Sequence, residues 1–353
     1  MLAPGDESAP RNQGAYSFIW AMHKLRFLVF ALMPALWSPA LPCLAQSAAP
    51  PPANTAASIA TLQQQAAQQP PVKGASRQLG IAYYRTGKLI DAERAFAAAM
   101  AQDPADLESV QMRGLTLYRL GQPSAAIPYL ERVRQWMPDA NADANHVLGL
   151  AYMNARRYDD ARGAFAAQYG VAADSAAAYL LTGGMLLDAD LPELAAQDAQ
   201  KALEISPNLP LAHFMLGEVY LYKSDVAHAL EQFEQERTIN PAYPPVYDRL
   251  GDVYTRMGQY QQAQESLTRA ISLDVSSTGP FIQMGKVFLR RGDPESAAMY
   301  LQHALKMDPG NYISHTLLGQ AYRSMGKEDD ARKELEAASQ IHASSQLKLQ
   351  PVQ

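Results

Sequence analysis

Seven histidines and one cysteine, Cys43, are the side chains of this chain best suited to metal binding or nucleophilic chemistry. A protein zinc site needs three or four such ligands converging at short, regular spacing. Neither His-Glu-x-x-His nor His-x-x-x-His occurs. The histidines therefore read as surface or groove residues, and neither a metal nor a cofactor is expected. A lone cysteine excludes an intrachain disulfide and a thiolate cage. Paired acids that could do acid–base work occur in "YDDA" at 158–161 and "EDDA" at 328–331. Each pair stands where a helix would open, and acids there meet the positive end of the helix dipole. No phosphate-binding glycine loop, dinucleotide pattern or Gly-x-Ser-x-Gly elbow is present. The expected protein is not an enzyme.

What must hold these residues is a repeat. "LGEVYLYKSDVAHA" from Leu216 returns as "LGDVYTRMGQYQQA" from Leu250 and as "LGQAYRSMGKEDDA" from Leu318, offsets that are multiples of 34 residues. A constant period means one structural unit copied along the chain. A frame opened at Lys73 gives units 73–106, 107–140, 142–175, 176–209, 210–243, 244–277, 278–311 and 312–345, with Asn141 as the one inserted residue. The eighth place is always glycine, from Gly80 to Gly319, and the twentieth always alanine, from Ala92 to Ala331. Glycine costs a helix interior about 0.5–1 kcal/mol relative to alanine, so its return implies a close approach of a second helix. The twentieth-place alanine is expected to face it. Large apolar residues at the eleventh and twenty-fourth places, such as Tyr254 and Leu267, fill the space around the crossing. Gly87, Gly121, Gly258, Gly292 and Gly326 are placed to end the first helix in the left-handed conformation. Pro104, Pro138, Pro207, Pro241 and Pro309 stop the second. In this frame His213 and His228 fall on different helices of one unit, and His303 and His315 straddle a unit boundary.

Leu-Gly-x-x-Tyr, then Ala-x-x-x-Phe or Leu, then Pro at this period resembles the tetratricopeptide repeat over residues 73–345. The resemblance implies an all-α fold, a right-handed α-α superhelix of tandem antiparallel helix pairs. Units three to five lack the turn glycine, and Arg113 and Thr182 replace Leu at the seventh place. The array is expected to bend or loosen near 169–190.

In that family the first helix of each pair lines a concave groove with places two, five, nine, twelve and thirteen. Carried onto this sequence, these are Leu180 and Leu187, then Leu211, Phe214, Leu221 and Tyr222 as an apolar floor. Arg77, Arg85, Arg119, Asp248, Asp252, Arg256, Lys286, Arg290 and Arg323 form charged flanks. The pattern implies a partner protein offering an extended or helical peptide, with Phe214 and Tyr222 as aromatic anchors for it. Leu180 and Leu187 suit packing between units as well as the groove. The carboxylate clamp of chaperone adaptors is not matched, since Arg77 with Ile81 and Gln111 with Leu115 stand at its positions.

Net charge is −5 and the pI about 5.8, so no basic surplus exists for nucleic acid or an anionic membrane. Residues 22–45 run from His23, Lys24 and Arg26 through an apolar stretch, Phe27 to Trp37, to a small-residue exit at Ala45. That is the layout of a secretory signal peptide, and the apolar run is too short to span a bilayer comfortably. A periplasmic or secreted chain beginning near Gln46 is expected, with a lipoprotein anchored through Cys43 as the alternative and no membrane insertion of the mature chain. Residues 1–21 read as a leader before a true start at Met22, 46–72 as an Ala/Pro/Gln-rich tether holding a short helix, and 346–353 as a tail. The expected function is an interaction scaffold of the bacterial envelope. A non-catalytic accessory subunit of an envelope polysaccharide enzyme is the alternative.

Overall fold

The computed structural model describes residues 55–137 and 142–349. The leader, the signal segment with Cys43, residues 46–54, Pro138, Asn141 and the last four residues lie outside the described residues. Among the described residues there are seventeen helices and no strand. They divide between Leu191 and Pro192 into two compact units. The first holds α1 (Thr55–Ala67), α2 (Ala75–Arg85), α3 (Leu89–Gln102), α4 (Leu107–Arg119), α5 (Pro123–Trp136), α6 (Ala142–Asn154), α7 (Tyr158–Gln168) and α8 (Ala176–Asp188). The second holds α9 (Pro192–Ile205), α10 (Ala212–Tyr222), α11 (Val226–Ile239), α12 (Pro244–Arg256), α13 (Tyr260–Leu273), α14 (Gly279–Arg291), α15 (Pro294–Met307), α16 (Tyr312–Ser324) and α17 (Glu328–Leu349). The division falls just after the 169–190 stretch where irregularity is expected.

In seven of the eight pairs the nearest neighbour of the eighth-place glycine is the twenty-fourth-place side chain rather than the expected alanine. A Cβ on Gly149 would lie 2.3 Å from Phe165, and one on Gly251 would lie 2.5 Å from Leu267. Gly80, Gly114, Gly217, Gly285 and Gly319 face Phe96, Leu130, Phe233, Leu301 and Leu335 in the same way. The eighth place thus makes a hole for the twenty-fourth-place side chain, one turn beyond the expected alanine. Those alanines are buried too, and in the last pair the Ala331 carbonyl oxygen lies 3.2 Å from where a Cβ on Gly319 would stand.

The five expected turn glycines hold φ between 73° and 78°. In the three units without one, the same left-handed turn is made by Arg156 (φ 58°), Asp190 (φ 62°) and Ser224 (φ 59°). The fold therefore imposes this conformation on residues that disfavour it by about 1–2 kcal/mol each.

Adjacent pairs are joined by a hydrogen bond that recurs in register. The eleventh-place tyrosine meets the twenty-fifth-place side chain of the pair before it: Tyr152 Oη donates to Glu131 and Tyr254 Oη to Glu234, while Gln302 donates to Tyr322 Oη. Gln63 of α1 donates to Tyr83 Oη in the same way. Ile59, Leu62 and Ala66 of α1 also pack on the cluster around Leu79 and Tyr83. Here the structure corrects the tether reading: α1 stands where the second helix of a preceding unit would stand, with Pro70 at that unit's closing-proline place. At the other end α17 continues four residues past the last expected unit.

Candidate partner-binding face

Consecutive first helices touch along one side of the second unit, α12 against α14 and α14 against α16. The places expected to line a groove lie on this side, but they do not share one environment. Place thirteen is exposed at Tyr222, Arg256 and Arg290 here and at Arg85 and Arg119 in the first unit, whereas Asp188, at the same place of α8, is half-buried. Arg323, at place twelve of α16, is exposed as well. Places two and five instead turn into the seam between pairs.

Phe214 is the clearest correction. It is 1% exposed, packed edge-on against Tyr243 at 5.4 Å and tilted against Phe233 at 5.5 Å, within a cluster that includes Val246 and Leu250. It is a joint between α10 and the next pair and offers nothing to a partner. Leu211 is also buried, in the left-handed conformation (φ 73°) just before α10, and Leu221 packs against the same cluster. In the first unit Leu180 is buried, Leu187 is half-buried, and Arg119 lies over the Tyr84 ring at 4.6 Å. A large apolar side chain at place five gains more from the seam than from the open face, because burial contributes roughly 1.5–3 kcal/mol.

Glu236, which sequence reasoning missed, holds the start of α10 in place. Its side chain is fully buried and accepts from the backbone N–H of Leu211 at 2.9 and 3.0 Å and of Phe214 at 3.4 Å. Burial pushes its carboxyl up, and these donors pull it back toward the ionised form. A signal was available: the other units carry Ala99, Val133, Gln168, Ala202, Ala270, Ala304 and Ala338 at this place, none of them charged.

The floor between α10, α12 and α14 is ionic. Arg249 Nε donates to Glu218 at 2.5 Å. Asp252, nearly buried, takes Arg256 at 2.8 Å and Lys286 at 3.2 Å, and those cations hold its carboxyl below the usual range against the effect of burial. Asp248 is served least. Arg249 reaches its Oδ2 at 3.7 Å, its Oδ1 is shut off from solvent without a hydrogen bond, and burial pushes its carboxyl up to about 6. The Tyr243 hydroxyl and Gln283 Oε1 are likewise enclosed and unpartnered.

The six histidines among the described residues all have structural partners. His146 bonds Gln168, His213 bonds Gln232, His228 bonds Asp225, His315 bonds Glu334, and His303 and His342 lie against the rings of Phe281 and Tyr312. Asp159 and Asp160 open α7 and pair with Arg162 and Arg157, and Asp329 and Asp330 open α17 and pair with Arg332 and Lys333. No group of three metal-ligating side chains occurs among the described residues, and no helix there is long and apolar enough to cross a membrane.

Family models described as tetratricopeptide repeat match residues 77–142, 117–182, 244–274 and 288–349, together more than half of the chain. No curated protein matches. Among solved structures, MamA is 21% identical over 46% of this chain and 95% of its own, with a TM-score of 0.42. YrrB, described as a repeat protein of this type with an unusual peptide-binding site, is 24% identical over 50% of this chain and 91% of its own, with a TM-score of 0.41. A tetratricopeptide repeat protein from Parabacteroides merdae is 17% identical over 75% of this chain and 99% of its own, with a TM-score of 0.41.

Proposed function

Because the chain belongs to the tetratricopeptide-repeat family, we propose that it is a non-catalytic scaffold whose second unit, residues 192–353, binds an extended or helical segment of another protein. The supporting observation is the exposed row Tyr222, Arg256 and Arg290, with Arg323 beside it, standing over the ion-paired floor of α10, α12 and α14. Aromatic and arginine side chains carry most of the energy at protein interfaces, and an arginine row favours a segment with acidic residues. Arg85 and Arg119 extend the same chemistry to the first unit. Leu180, buried, and Leu187, half-buried, belong to the packing of the first unit.

Capture of partners by the full chain, compared with Tyr222→Ala and Arg290→Ala, tests the reading. A protein held by wild type and lost by both variants, whose melting is unchanged, supports it. Equal capture by all three removes this face as the binding site.

The proposal extends to an exported scaffold of the bacterial envelope, supported by the charged, apolar and small-residue order of residues 22–45. Cell fractionation should find the mature chain outside the cytoplasm, and full-length chain in the cytoplasm would contradict it. Membrane retention lost in Cys43→Ser would replace the cleaved form with the lipoprotein.

A further inference from the structure

Place five of one pair faces place two of the next. In the first unit this junction is closed by charge: Arg77 at place five reaches Asp106 at 3.1 Å and Glu108, at place two of the next pair, at 3.3 Å. At the junction of α12 and α14 the place-five side chain is Asp248, and the facing place two is Gly279. A Cβ built on Gly279 would lie 3.6 Å from Asp248 Oδ2 and 3.7 Å from Oδ1. The acid therefore looks at a position from which the side chain is missing.

The nearby cations are already committed. Arg249 is spent on Glu218, and Arg256 and Lys286 are both spent on Asp252. Asp248 is left with one distant guanidinium, an enclosed Oδ1 without a donor, and about a fifth of its side chain open to solvent. Gln283 Oε1, on α14, is a second enclosed acceptor without a donor.

We propose that the Asp248 carboxylate facing Gly279 is the receptor for a lysine or arginine side chain of the bound segment, which fills the place-two gap and supplies the missing counter-charge. This rests on the binding face proposed above and names one chemical requirement of its ligand: a basic residue inside a segment that otherwise meets an arginine row. Glu218 on α10, Asp252 and Arg249 on α12 and Lys286 on α14 face the same carboxylate. The ionised acid is the binding form, so affinity rises as pH rises through about 6.

The test uses a displayed library of short random peptides, selected on the full chain. The expected result is a family of peptides sharing Lys or Arg at one register. Replacing that residue by norleucine should weaken binding to wild type about tenfold and should not weaken binding to Asp248→Asn. Gly279→Lys is the independent variant. Its new side chain meets only ordinary contacts at Cβ, and its tethered ammonium should fill the site and abolish the peptide's need for a basic residue. Peptides that bind without a shared basic residue, or that bind both variants as wild type does, would overturn this inference and leave the face itself standing. If no peptide were enriched, the proposed face would fall and this inference with it.

Discussion

The helix crossings and the first-helix face are built from the same repeat and obey opposite rules. At the crossings the glycine and the apolar ring or leucine that fills its hole recur from Gly80 and Phe96 to Gly319 and Leu335. On the face the ninth place changes from Glu218 to Asp252 to Lys286, and the second from Leu211 to Gly279. Recurrence in seven of the eight pairs marks a stacking need, and the fourth, with Ala199 at the twenty-fourth place, is the one that departs from it. Variation at one place marks what a single junction has been given to do.

Phe214 tests which rule governs place five. Phe214→Ala empties a fully enclosed ring site and should cost about 3–5 kcal/mol, read as loss of melting temperature and of the α10–α12 joint. A small effect would return Phe214 to the binding face. Gly251→Leu attacks the crossing itself, where even a Cβ is 2.5 Å from Leu267, and should cost about 1–3 kcal/mol or more. Melting like wild type would show that the hole is not needed.

Smaller effects sharpen the contrast. Ser224→Gly relieves a left-handed non-glycine turn and should stabilise the second unit by about 0.5–1 kcal/mol, whereas Gly258→Ser should do the reverse. No difference between these variants and wild type would mean that the turn carries no strain.

The pH response isolates Asp248. Its carboxyl is raised from 3.8 to about 6 in the fold, so the stability linked to it is fully present below pH 4 and is lost as pH rises through about 6. Asp248→Asn should therefore melt a few degrees above wild type at pH 8 and close to it at pH 4. The opposite order would mean that the acid is already well paired. Asp188, whose Oδ1 is enclosed without a partner and whose carboxyl is also pushed to about 6, should behave alike. Tyr222→Ala, at 42% exposure, should leave melting nearly unchanged.

The fold was legible because stacking demands repeat at a fixed period, and the Gly, Ala, Tyr and Pro places located the helix pairs from Ala75 onward. The helix α1 was expected, but its packing as half of a repeat was missed because its alanines and glutamines resemble a linker, although Pro70 and Leu62 keep the register. The left-handed turns at Arg156, Asp190 and Ser224 were hidden because no residue type announces them. The face was half legible. A place number says which way a residue points on its helix, while burial depends on the neighbouring pair, which is why Phe214 and Leu211 turned inward and Arg256 and Arg290 did not. Glu236 could have been found by asking which unit departs from the others at a given place, whereas Gly279 could not, because place two differs from unit to unit and is glycine at Gly74 as well.

The central claim is that the exposed row over α10, α12 and α14 meets the partner, and site-specific photocrosslinking in cells tests it most directly. A photoreactive residue at Arg290, on that row, is compared with one at Met299, exposed on α15. The account predicts a discrete protein adduct from position 290 and none from 299. An adduct from 299 alone would place the partner on the second helices and contradict it.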